Sequence, residues 1–196
     1  MRMRNRVAAL LVAVAALSVA GCGGGHEDGT PLTITQYRGA DWVTDGAVTA
    51  PTSPGRGNRI HYPHTMDGAV MAAVDSQTLL DTAPDDAFGA IARDYFSISP
   101  GLTSYLAARA NISVTGQPDP NRLPRIKGFR FLDYQDSAAT VEILFEQPDK
   151  SISGLTRNLV WLGENWLIQL PDPKDNTQVI KAYPDLPDNL ERLPQT

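Results

Sequence analysis

Residues 155–170 read Leu155-Thr156-Arg157-Asn158-Leu159-Val160-Trp161-Leu162, then Gly163-Glu164-Asn165, then Trp166-Leu167-Ile168-Gln169-Leu170, with Pro171 closing the stretch. Two apolar, β-prone runs joined by a short glycine-bearing connection predict a β-hairpin. Upstream, Gln147-Pro148-Asp149-Lys150 is a turn. Before it Val141, Ile143 and Phe145 alternate with Thr140, Glu142, Leu144 and Glu146, the period-two pattern of a strand with one face on a core. Glu142 and Glu146 then read as a solvated face. Gln135-Asp136-Ser137 is another turn, and residues 126–134 are rich in aromatics whose alternation slips between Phe129, Phe131 and Leu132, as in a bulged strand. Residues 112–114 form a possible short strand ahead of a proline-rich loop, 116–124.

Further back the period changes to that of helices. Thr65 is a suitable N-cap with Asp67 in the first turn, and Met66, Val70, Ala73, Val74 and Gln77 make one stripe. Asp81-Thr82-Ala83-Pro84 breaks it near Leu80. Pro84 can open a second helix with Asp85 and Asp86 set against its dipole, and Phe88, Ile91, Ala92 and Tyr95 share a face. Ser99 caps and Pro100 opens a third, carrying Leu102, Tyr105 and Leu106. Helices followed by an antiparallel meander predict an α+β class: about three N-terminal helices packed on a curved antiparallel sheet.

The beginning of the chain has a different character. Arg2, Arg4 and Arg6 precede an apolar run, residues 7–19, and small residues follow at Ala20 and Gly21. This is the pattern of a secretory signal peptide, and the run is shorter than the ~20 residues of a membrane span. Val19-Ala20-Gly21-Cys22 resembles a bacterial lipoprotein signal. That resemblance implies cleavage before Cys22 and a lipid on its thiol, placing the protein on the outer face of the cytoplasmic membrane. Two acyl chains, at ~0.8 kcal/mol per buried CH₂, anchor stably. Cys22 is the one cysteine, so no disulfide forms within the chain and stability rests on a packed core.

Removing residues 1–21 leaves 175 of 196 residues, and because that segment carries three arginines and no acid the net charge moves from −5 to −8. An acidic chain without a Lys/Arg cluster argues against nucleic acid as a partner. The organisation read from sequence is a signal peptide at 1–21, a glycine-rich tether and extended arm at 22–58, an α+β domain at 59–171, and a proline-rich acidic tail at 172–196. Within the arm, Leu32, Ile34, Tyr37, Trp42, Val43 and Val48 suggest partial packing.

Helices followed by bulged strands ending in Val160-Trp161-Leu162-Gly163-Glu164-Asn165-Trp166 resemble the cone-shaped nuclear transport factor 2-like (cystatin-like) fold. Pro51-Thr52-Ser53, Gly55, Tyr62-Pro63-His64-Thr65, Gly68-Ala69-Val70 and Ala72-Ala73-Val74 resemble uncharacterised lipoproteins of actinobacterial conjugative elements. The resemblance spans residues 48–171 and implies an accessory of conjugation or secretion with protein partners in the cell envelope. In such a cone Tyr95 and Tyr105 would line the interior; as aromatic residues on helix faces they read first as core area with a hydrogen-bonded hydroxyl.

Catalytic signatures are missing. There is no Gly-x-Ser-x-Gly, His-Glu-x-x-His or Gly-Lys-Ser. Pro63 between His61 and His64 removes the helical face that would aim both rings at one metal, and Asp133 and Tyr134 point to opposite faces of a strand. The reading is therefore a lipid-anchored, non-catalytic interaction module with no cofactor. The alternative is a small-ligand binder or an isomerase- or dehydratase-like enzyme using the cone.

Overall fold

A computed structural model describes residues 31–52 and 59–195. Its centre is helix α1 (Met66–Asp81), which starts where Thr65 Oγ1 accepts the Gly68 N–H at 3.1 Å. The preceding chain folds tightly against this first turn: a Cβ on Gly68 would lie 1.8 Å from the Pro63 carbonyl oxygen, so no larger residue fits. The Pro63 carbonyl also accepts from the Trp166 indole at 3.1 Å, tying the helix entry to the sheet. Gly68 to Ser76 are all buried, as are Leu79 and Leu80. A helix buried on every side is a core element rather than a surface one, and α1 is accordingly covered by structure on both sides.

One side is a hairpin that precedes it. Strands β1 (Thr33–Tyr37) and β2 (Ala40–Thr44) pair antiparallel with Tyr37 opposite Ala40, leaving Arg38 and Gly39 as a two-residue turn at φ 51° and 85°, the left-handed conformation that matches strand twist. Ile34, Trp42 and Val43 of this hairpin are buried. The Val43 N–H donates to Asp75 Oδ1 at 2.9 Å and Thr78 Oγ1 to the Asp41 carbonyl at 3.1 Å, so β2 is bonded to the flank of α1.

The other side is a five-stranded antiparallel sheet made of β3 (Arg125–Gln135), β4 (Ala138–Glu146), β5 (Ile152–Leu162), β6 (Asn165–Gln169) and β7 (Ile180–Tyr183), in the order β3-β4-β5-β6. Strand β7 pairs with residues 152–155 of β5, and β6 with residues 158–162. The register of β3 shifts between Ile126 and Gly128 and again between Phe131 and Asp133, so the strand is bulged twice. Gly163 and Glu164, both at positive φ, make the tight turn between β5 and β6. Helices α2 (Phe88–Tyr95) and α3 (Pro100–Arg109) lie in mid-chain; Ser99 Oγ caps α3 by accepting from Leu102 N at 3.1 Å. Residues 112–114 are loop, not strand. Val114 N–H and Ser113 Oγ instead bind Asp85 at 2.9 and 2.8 Å, and Arg109 donates to Asp85 at 3.1 Å.

The expectation of three N-terminal helices on a curved sheet, a nuclear transport factor 2-like cone, is overturned. Seven strands form two antiparallel sheets, and a strand pair comes before the helices. The physical reason lies in the hairpin and in α1. Residues 32–48 hold enough apolar surface to build their own sheet, and α1 lacks the solvated face of a helix laid on a sheet.

After β7 the chain does not leave the body. The Tyr183 hydroxyl sits over the outward face of β4, donating to Glu142 Oε1 at 2.7 Å. Further on, Glu191 forms a bridge with Phe129 on the free edge of β3, both bonds 2.9 Å. Finally Ile34 of β1 donates to the Pro194 carbonyl at 2.8 Å, with Gln195 bridged to Ile34. Residues 184–195 thus form a strap from the large sheet to the small one.

Candidate functional site

A cavity of about 190 Å³ opens between the C-terminal half of α1 and the start of the large sheet. Ala73 and Val74 line it from α1, and Ile126, Ile143, Phe145 and Leu155 from β3, β4 and β5. Its polar lining includes Gln77, Asp81, Gln147 and Ser153. These groups hold one another: Gln77 Nε2 donates to Asp81 Oδ1 at 2.7 Å and Gln147 Nε2 to Ser153 Oγ at 2.7 Å. From behind, Arg157 donates to Gln77 Oε1 at 2.6 Å. Burial pulls the Arg157 guanidinium below the usual arginine value, against the opposing influence of Asp81 and Tyr105.

Asp41 also borders the cavity, but its carboxylate is committed. It accepts from Ile126 N–H at 2.7 Å, Gln36 Nε2 at 2.6 Å and Arg125 Nη1 at 3.0 Å, which pins the hairpin to β3. Glu142 is equally saturated on the opposite face of the sheet, receiving Arg130 Nε at 2.7 Å beside Tyr183, while Arg130 also donates to Asn189 Oδ1 at 2.7 Å. It is buried, so its reading as a solvated group is corrected: Tyr183 of β7 covers it. Asp75, fully buried in α1, has one carboxylate oxygen on the Val43 N–H and the other without a hydrogen-bond partner. Burial pushes its carboxyl well above the usual range.

The residues singled out from sequence fall elsewhere. Val19, Ala20, Gly21 and Cys22 lie outside the described residues. Tyr95 is buried in α2, where its hydroxyl accepts from Ile60 N–H at 2.8 Å and its ring meets Tyr62 edge-on at 6.4 Å. Tyr105 on α3 is half-buried against the core, and burial raises its hydroxyl. Neither tyrosine lines the cavity, and no cone joins them. His61 is exposed; His64 stacks on Trp161 at 4.0 Å and bonds the Asp136 carbonyl, a fixture of the helix entry. Among the described residues no group of three or more His, Cys, Asp or Glu is arranged to hold a metal, and no helix is long and apolar enough to cross a membrane.

Sequence reasoning missed the cavity residues because they come from six separated segments, around positions 40–41, 73–82, 123–126, 143–147, 153–155 and 180. Gln77 was read as part of a helical stripe, and Gln147 as part of a turn; nothing local joins them. The one available signal is Ala73, a small residue on the stripe that faces the sheet.

Comparison with curated proteins finds no match, and comparison with solved structures finds none. Residues 12–189 match the family described as Domain of unknown function (DUF8175), and the chain belongs to that family.

Proposed function

We propose that the protein is anchored through a lipid on Cys22 to the outer face of the cytoplasmic membrane, and works there as a non-catalytic interaction module. The observation that carries this is the run from Arg2 to Cys22: a basic start, an apolar core, and Val19-Ala20-Gly21 before the one cysteine in the chain. The folded body supports it. Its buried carboxylates at Asp41 and Glu142 are engaged by structural partners, which makes them bracing groups of the fold. By its resemblance to lipoproteins of conjugative elements, the partner is an envelope protein of a conjugation or secretion apparatus.

Metabolic labelling with an alkyne palmitate analogue tests the anchor. The wild-type chain takes up label and fractionates with membranes, whereas Cys22→Ala loses both. Label retained by Cys22→Ala overturns the assignment. Cross-linking of the anchored protein in cells, read beside transfer frequency in a deletion strain, tests the role. Unchanged transfer together with no cross-linked component of the apparatus rules out the conjugative part.

A further inference from the structure

The cavity beneath α1 is unlike the charged clusters around it, because most of the surface that lines it is apolar. A volume of on the order of 150 Å³ holds a benzene-sized molecule; this one, at about 190 Å³, has room for one ring or a short branched alkyl group. Apolar walls with a few polar groups at the rim are the make-up of a small-molecule site. The rim points to a molecule with one polar end. Gln77, Gln147 and Ser153 line it and offer amide and hydroxyl groups already held by hydrogen bonds. Charge narrows the class further. The residues lining the cavity include Asp41 and Asp81 but no Lys or Arg, so an anion gains no partner there. Ile180 on β7 also borders the cavity and is 60% exposed. A large aliphatic side chain standing in solvent beside an apolar opening gains contact when the opening is occupied.

We propose that this cavity is a binding site for a small, uncharged, mostly apolar molecule carrying a single hydroxyl or amide end, with the apolar part against Ala73, Val74 and Ile143 and the polar end at Gln77, Gln147 and Ser153.

Benzyl alcohol is a suitable probe, and benzoate its anionic counterpart of equal ring size. The full chain in lipid nanodiscs, with isoleucine, leucine and valine methyl groups labelled for NMR, reports occupancy site by site. Benzyl alcohol, titrated to ~10 mM at dialysis equilibrium, is expected to shift the methyls of Val74, Ile143 and Leu155 saturably with a Kd of about 1 mM or tighter. Benzoate is expected to leave them unmoved. Ala73→Leu fills the void and abolishes the response. Should Ala73→Leu fail to fold, Ile180→Asp, a change at an exposed position, decides the matter by weakening binding at least threefold. The proposal is overturned by unmoved cavity methyls, by equal binding of benzoate, or by an Ile180→Asp protein that binds as the wild type does.

Discussion

Asp75 is where a single residue most constrains the molecule. A fully buried carboxyl with no counter-charge and one unpaired oxygen keeps its proton in the native state. The unfolded chain gives that proton up at the ordinary carboxylate pKa, so the native state binds more protons above that value and stability falls as pH rises toward the raised native pKa. Asp75→Asn retains an oxygen for the Val43 N–H and removes the ionisation. It is expected to be more stable than the wild type near pH 8, with a smaller difference near pH 5, read from urea midpoints. Asp85 behaves in the opposite sense. The Val114 N–H and the Ser113 hydroxyl hold its carboxyl below the usual range, so its contribution is present above the unfolded value and lost as pH falls. At Glu142 the buried charge has partners, and removing one side leaves the other stranded. Glu142→Ala is expected to cost about 3–5 kcal/mol, and Tyr183→Phe only about 1 kcal/mol, in the same denaturation assay. The environment of Glu142 was not legible because what covers it, Tyr183, is 41 positions away. Strand alternation records only the pleat, not what lies above it.

At the scale of elements, legibility follows locality. Thr65 and Ser99-Pro100 start α1 and α3 through bonds to residues three positions on, and such capping chemistry is written in adjacent residues. The strands β3 to β6 were equally readable, down to the slip in β3, because alternation and turn residues are local too. The hairpin β1–β2 was read as an arm: its strands are five residues each, its turn is Arg38-Gly39, and its stability comes from α1 rather than from itself. Trp42, fully buried on β2, measures that dependence. Trp42→Ala is expected to cost about 3–5 kcal/mol, whereas a loosely packed arm would lose under ~1 kcal/mol; calorimetry separates the two. The strap has its own critical residue. Gly128, at φ 151°, faces Glu191 so closely that a Cβ would stand 2.2 Å from its carbonyl oxygen. Gly128→Ala is expected to lift residues 189–195 off β3 at a cost of about 1–3 kcal/mol, with new protease cleavage in that segment as the readout. Full protection of the segment in the variant would show that the edge of β3 yields instead.

For the whole molecule, the two sheets share one helix, and the strap joins them a second time. Such a body unfolds as one unit. Trp42 sits in the small sheet and Trp166 in the large one, both fully buried, so their indole N–H signals in the NMR spectrum of the wild-type protein report the two halves separately. Their urea transitions are expected to coincide; two midpoints separated by more than experimental error would mean that the hairpin melts independently. None of this closure could be read along the sequence, because it depends on Ile34 meeting Pro194 and Gln195, residues at nearly opposite ends of the described chain.

That meeting also sets the order of events during biogenesis. A contact between the first strand and the last residues has the longest loop to close and forms slowly. A chain leaving the ribosome cannot complete it until residues 194 and 195 have emerged. The strap therefore joins the two sheets only after both have been synthesised.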